Sequence, residues 1–252
     1  MERSVIFAEV RKISGKLTKD QVIAGDKIMD ELGEEILGTL LGVKMGSKLL
    51  TAEKLLKIYP GANTAFVDPI NRLADKYEIN TVDRMAVFLA QTLLETGGYK
   101  SLRENLNYSA KRLVEVFPTR VKTLKEAQAL VAKGQVAIAD AVYGGRFGNG
   151  INNGDGYRYR GGGLTHTTFK DNYAVATKHL NANGNKTDLV TNPEKIADPD
   201  IAVESAMIYW KTKNVNKYAD KKDIEGASVV VNGGTNGLRE RTKLYEKAMI
   251  IL

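Results

Sequence analysis

Apolar residues recur at helical spacing through most of the chain. After Thr81, the residues Val82, Met85, Ala86, Leu89 and Leu93 trace one helix face, and Val87, Phe88, Ala90 and Leu94 fill most of the remaining circumference. This pattern predicts a helix buried on nearly all sides, with Glu95 at its C-terminal end and Gly97 available to stop it. Nearer the start, Thr18 and Gln21 have the spacing of a capping box, with Leu17 and Val22 as its hydrophobic staple, and residues 1–41 read as two or three short helices. Gly42 to Lys48 interrupts the pattern, and Leu50-Thr51 opens a new helix stapled by Leu50 and Leu55. These breaks divide the chain into a small helical module, residues 1–48, and a main domain, residues 49–252. Further helix starts are expected at Ser109, at Thr123 with Glu126, and at Asn192-Pro193 and Asp198-Pro199, while Leu238 to Leu252 closes the chain. The fold class read from this pattern is mainly α.

One segment departs from it. Nine of the 24 glycines fall between Gly144 and Gly163, which predicts loops and a small β-hairpin running into Leu164-Thr165-His166-Thr167-Thr168. A nucleotide loop is the weaker reading, because Gly144 to Gly150 lacks a Gly-Lys-Ser/Thr ending and no hydrophobic strand precedes it. Tyr143, Phe147, Tyr157, Arg158, Tyr159 and Arg160 suit a long polar ligand, sugar or base, and equally suit a loop pinned by its own aromatics. His166, in a Thr-rich stretch, fits either a ligand contact or a hydrogen-bonded structural histidine.

Composition narrows the chemistry. With 252 residues and 43% hydrophobic content the chain can bury a substantial core. There is no cysteine and there are two histidines, so disulfides, thiolate nucleophiles and a His-rich zinc site are excluded, and no metal or cofactor is expected. The first 50 residues carry eight basic and eight acidic side chains, so the net charge of +7 lies in the remainder and suits a polyanionic partner. No export signal and no run long enough to span a bilayer are visible, which implies synthesis in the cytoplasm and no stable membrane insertion.

The candidate chemistry is a pair of carboxylates on either side of a Gly-Gly turn. Glu95 ends an apolar helix, where a dry wall and the helix's negative end both work against a charge; Glu104 follows in a polar segment beside Arg103 and Asn105. Opposed environments of this kind serve general acid and general base.

Longer stretches carry a family resemblance: Phe88-Leu89-Ala90-Gln91 with Glu95-Thr96-Gly97-Gly98, Glu104 to Ala110, Val142 to Arg146, Gly148-Asn149-Gly150, Tyr159 to Leu164, Thr168, Asn172-Tyr173, and Val231 to Gly237 with Arg241 and Tyr245. From about residue 50 onward the chain resembles a family 19 glycoside hydrolase, in its phage endolysin branch. The resemblance implies a lysozyme-like, two-lobed helical domain. It implies Glu95 as the general acid, Glu104 as the second catalytic carboxylate, and Thr168 as the hydroxyl that helps hold the attacking water. Tyr108, Tyr143, Arg160, His166, Asn172, Asn232 and Arg241 would contact sugar or water. The sequence departs from the family at Leu94, where His is frequent, at His166, where Gln is usual, and at Gly162, where Arg is usual. The expected protein is a monomeric endolysin that hydrolyses β-1,4 bonds of bacterial peptidoglycan with inversion and causes host lysis. It would be made in the host cytoplasm and reach the periplasmic wall once the membrane is permeabilised, with no nucleic acid as partner. A chitinase, a lytic transglycosylase and a non-catalytic wall-binding protein on the same scaffold are the rival readings. Residues 1–48 fall outside the match and read as a wall-binding or packing appendage.

Overall fold

The computed structural model describes residues 11, 16, 18–32 and 49–252, and the chain divides into two units, residues 1–48 and 49–252. In the first unit, α1 (Lys19–Leu32) starts with the expected reciprocal capping box: Thr18 N donates to Gln21 Oε1 at 2.8 Å and Gln21 N to Thr18 Oγ1 at 3.3 Å. The Leu17–Val22 staple and the other helices expected in residues 1–41 lie outside the described residues.

The second unit is mainly helical. It runs through α2 (Ala52–Ile58), α3 (Val67–Ala74), α4 (Val82–Glu95), α5 (Ala110–Val116), α6 (Leu124–Lys133), α7 (Gln135–Tyr143), α8 (Asp155–Arg158), α9 (Lys170–Ala182), α10 (Pro199–Thr212), α11 (Asn216–Ala219), α12 (Ile224–Asn232) and α13 (Leu238–Ile251). Thr51, Ser109 and Thr123 each cap the following helix through the side chain, as their positions predicted, and Thr81 caps α4 in the same way. Asn192 and Asp198 differ: neither makes a side-chain capping bond, and the proline after each opens the 3-10 turn Pro193–Ala197 and α10 with a φ already suited to a helix.

Two apolar cores give two lobes. The larger surrounds α4, whose residues from Met85 to Leu93 are all buried, so that an almost uninterrupted apolar helix is stable only with neighbours on every side. Phe88 meets Trp210 of α10 edge to face, with ring centroids 5.3 Å apart, and α13 packs along α4. The smaller core gathers Leu113, Val121, Ala127, Ile138 and Val142 from the α5–α7 region. Between the lobes runs the glycine-rich segment. The expected β-hairpin is absent among the described residues; what forms instead is a pair of isolated antiparallel bridges, Arg103 with Gly162 and Gly162 with Thr167. Left-handed backbone at Gly163 (φ 73°) and His166 (φ 48°) turns the chain too sharply for strands to propagate.

Far from the carboxylate pair, Glu204 of α10 is nearly enclosed and accepts hydrogen bonds from Lys76 Nζ (2.8 Å), Tyr77 OH (2.9 Å) and Asn185 Nδ2 (3.0 Å). Burial pushes its carboxyl up, but the bonds from Lys76, Asn185 and Tyr77 outweigh it and hold the group below the usual range. A depressed carboxyl adds stability above its unfolded value, and the contribution disappears as pH falls through the folded value. Glu204→Gln is therefore expected to lower the melting temperature at pH 7, with the difference from the parent shrinking by pH 3 in calorimetric scans.

Candidate active site

Glu95 is positioned by the way α4 ends. Thr96 Oγ1 donates back to Thr92 O at 2.7 Å and accepts from Tyr99 N at 2.9 Å, and Gly97, Gly98 and Tyr99 all take positive φ. A Cβ on Gly98 would lie 2.8 Å from the Tyr59 ring, so the tight reversal needs glycine there. The carboxylate is not set against a dry wall, as the sequence suggested. Arg241 Nη2 donates to Glu95 Oε2 at 2.7 Å, and the same guanidinium, 2% exposed, donates through Nη1 to Gln91 O (3.0 Å) and Gln91 Oε1 (2.8 Å). Gln91 Nε2 in turn donates to Ser228 Oγ at 3.0 Å. The anchor is an ion pair joining α4 to α13, with Gln91 as the link to α12. Gln91 and Ser228 carry no site role in the sequence reading; the available signal was a polar residue inside an otherwise apolar helix.

Glu104 is held by backbone and by one tyrosine. Its N–H donates to Gly161 O at 2.8 Å, Gly161 N–H donates to its Oε2 at 3.2 Å, and Tyr143 OH donates to its Oε1 at 2.7 Å. Burial raises the Tyr143 hydroxyl well above the ordinary tyrosine range and the bond to Glu104 adds to it, so Tyr143 remains a protonated donor. The sequence neighbours expected to support Glu104 do not. Arg103 turns to Arg158 O (2.8 Å), Glu194 (3.0 Å) and Tyr173 OH, and Asn105 Oδ1 accepts from Asn107 N (2.9 Å). Along an extended chain successive side chains leave on opposite faces, so adjacency in sequence does not bring them to one carboxylate.

The two carboxylates border a single turn. Gly162 and Thr167 exchange both backbone hydrogen bonds (3.0 and 2.8 Å), closing the loop that carries His166. A Cβ placed on Gly161 would lie 3.5 Å from Glu104 Oε2 and 3.6 Å from His166 Cβ, and His166 Nδ1 lies 3.9 Å from Glu95 Oε1. Thr168 Oγ1 donates to His166 O at 2.9 Å, and Asn172 Nδ2 donates to Thr168 O at 2.7 Å. Asn232 Nδ2 shares the Asn236 carbonyl with Arg241 Nε, at 3.3 and 3.5 Å. Tyr108 stands edge-on to Phe117 in the smaller lobe, and burial first, then the charge of Glu104, raises its hydroxyl. Arg160 differs from these: its guanidinium stacks 3.9 Å over the Tyr157 ring and donates to Tyr157 O at 2.7 Å, so the side chain is engaged within the protein. Gly162 has no space for a side chain, since a Cβ would lie 2.6 Å from Arg103 Nη1, Ile196 Cγ2 and Tyr173 OH. Among the described residues no cluster of three or more His, Asp or Glu side chains could hold a metal ion.

A curated protein of Haemophilus influenzae named as a glycosyl hydrolase family 19 domain-containing protein is 35% identical over 196 residues, which span 77% of this chain and 92% of that protein. The chain belongs to glycosyl hydrolase family 19. As a member of that family it is a glycoside hydrolase, with a chitinase-like domain. No general protein-family model matches it. Among solved structures, a chitinase C mutant covers 81% of the chain and 77% of its own length with a TM-score of 0.52 at 16% identity, a likeness of fold. The mainly helical arrangement described above is thus the family 19 framework, and the Glu95, Glu104 and His166 side chains stand around its turn at residues 161–167.

Proposed function

We propose that this family 19 domain is an endolysin that cleaves β-1,4 glycosidic bonds of bacterial peptidoglycan. Glu95 donates its proton to the glycosidic oxygen, the C–O bond breaks with its electron pair leaving on that oxygen, and Glu104 takes a proton from the water that attacks the opposite face of the sugar. The observation that carries the reading is that two carboxylates with different partners border one turn. Glu95 has one oxygen on Arg241 and the other free towards His166, whereas Glu104 faces two donors, Tyr143 OH and Gly161 N–H, and serves as the acceptor. In this reading Thr168, beside His166 in the turn, and Asn232, which shares the Asn236 carbonyl with Arg241, position the water. The basic excess of residues 51–252 suits a wall polymer that carries peptide carboxylates and, with its attached polymers, phosphates. In this reading the protein acts on the wall of its host, from the periplasmic side, during lysis.

The test is clearing of a purified peptidoglycan suspension beside a chitin suspension, with the released fragments analysed by mass and anomeric configuration. Peptidoglycan clearing with an inverted anomer supports the proposal. Clearing of chitin alone would make the protein a chitinase, and an anhydro-sugar product would replace hydrolysis by transglycosylation. Tyr143→Phe removes the donor to Glu104 while keeping the ring against Phe117 and Phe169. A hydrogen bond to a charged group contributes about 1.5–3 kcal/mol, so kcat/KM is expected to fall roughly ten- to hundredfold with little change in melting temperature.

A further inference from the structure

We propose that Arg146 is a specificity-determining residue: on a platform of Phe147 and Phe169, at the Glu104 side of the site, it binds a carboxylate of the wall polymer. The inference deepens the endolysin reading and rests on it. Tyr143, whose hydroxyl donates to Glu104 Oε1 at 2.7 Å, stands edge-on to Phe169 with ring centroids 5.5 Å apart, and Phe169 meets Phe147 at 4.9 Å. The guanidinium carbon of Arg146 lies 5.0 Å from the Phe169 centroid and 5.6 Å from that of Phe147. A continuous run of contacts thus leads from Glu104 through Tyr143 and Phe169 to a cation. Burial first, and then Glu104, raise the Tyr143 hydroxyl while the Arg146 charge lowers it, which puts that charge within electrostatic reach of the group holding Glu104.

The loop that presents Arg146 is tied down on all sides. Gly145 N donates to Gly150 O at 3.1 Å, Asn149 N to Arg146 O at 2.9 Å and Asn149 Nδ2 to Tyr143 O at 3.1 Å. From the start of α9, Lys170 N donates to Asn149 Oδ1 at 3.0 Å and Asp171 N to Phe147 O at 3.1 Å. Phe147 at φ 40° and Phe169 at φ 75° hold their rings on left-handed backbone, which is unfavourable for a bulky side chain, and Phe147 is still 59% exposed. The fold therefore maintains a strained aromatic pair whose outer ring buries little.

What the pair supports is a cation with spare capacity. Arg103, Arg160 and Arg241 each have a carboxylate partner, whereas the exposed Arg146 guanidinium has no ion pair and no hydrogen bond among the described residues. Ring faces attract a guanidinium without consuming its N–H donors, which stay available for a planar carboxylate to accept from. Wall peptides carry such carboxylates and chitin carries none, so a cation at this distance from Glu104 favours the wall polymer over an uncharged glycan.

The experiment is sedimentation with purified peptidoglycan and with the same peptidoglycan after its carboxylates have been capped as amides. Glu95→Gln serves as the background, so that the polymer stays intact. This protein is expected to bind the capped wall about three- to tenfold more weakly than the native one, the range of an exposed to partly desolvated ion pair. Adding Arg146→Gln should abolish most of that preference with the melting temperature unchanged, and Arg146→Lys should retain part of it. A preference that persists in full in Arg146→Gln belongs to the overall positive charge and overturns the proposal. Equal weakening on both walls makes Arg146 a clamp of its own loop, and Arg146-dependent binding to anionic phospholipid vesicles without preference between the walls assigns the patch to a membrane; either result overturns it. Failure of the parent to clear peptidoglycan is a distinct outcome: it removes the wall polymer as substrate, and this role of Arg146 with it.

Discussion

Glu95→Gln is expected to slow peptidoglycan clearing by about a hundred- to ten-thousandfold, the range that a positioned general acid contributes. The amide keeps an oxygen to accept from Arg241 but has no proton to give to a leaving oxygen, so the loss should appear in kcat and leave substrate binding comparatively intact. The substitution also leaves the Arg241 guanidinium buried without its counter-charge, and a lower melting temperature is expected alongside. Circular dichroism at the assay temperature separates the two effects: a folded protein without activity supports the acid role, and a folded protein with the parent rate refutes it.

Arg241→Met should have the largest effect on stability. The guanidinium is almost fully enclosed and satisfies Glu95 Oε2, Gln91 Oε1, Gln91 O and Asn236 O, four acceptors contributed by one helix, α4, and the loop before α13. Methionine approximates the length of the side chain but donates nothing, leaving a partly buried carboxylate without its cation and the buried Gln91 Oε1 without its donor. Removing one member of a buried pair costs about 3–5 kcal/mol; Glu95 is 23% exposed, so the lower end applies, roughly 3 kcal/mol. At roughly 2–4 °C per kcal/mol for a domain of this size, the melting temperature should drop by about 6–12 °C in calorimetric scans. Activity should fall as well, because the oxygen that Arg241 holds defines which oxygen of Glu95 is free towards His166. An unchanged melting temperature would show that water replaces the guanidinium without loss.

The two substitutions probe parts of the molecule that were unequally legible in the sequence. The helix ending at Glu95 could be read residue by residue, because its apolar circumference and glycine stop are local features with local causes. The family could also be read, because the ordered matches from Phe88 to Tyr245 carry its resemblance. The partners of the two carboxylates could not. Arg103 stands next to Glu104 in sequence and turns away from it, whereas the hydroxyl that bonds Glu104 comes from Tyr143 and the cation on Glu95 comes from Arg241. The β-hairpin failed for a related reason: glycine density signals a turn, but only the assembled backbone decides whether extended pairing continues beyond one residue pair.

By itself, then, the sequence determined a mainly helical protein and several of its helix starts, Thr51, Ser109 and Thr123 among them. These follow from sterics and hydrogen bonds acting over about four residues, which a linear pattern records. The tertiary structure decided that Glu95 is ion-paired rather than dry, that Tyr143 and Gly161 hold Glu104, and that His166 comes up to the other oxygen of Glu95. Those outcomes depend on how the lobes, α13 and the glycine-rich turn pack together, and contacts between residues so far apart in sequence are fixed by the burial of whole helix faces, which no local pattern encodes.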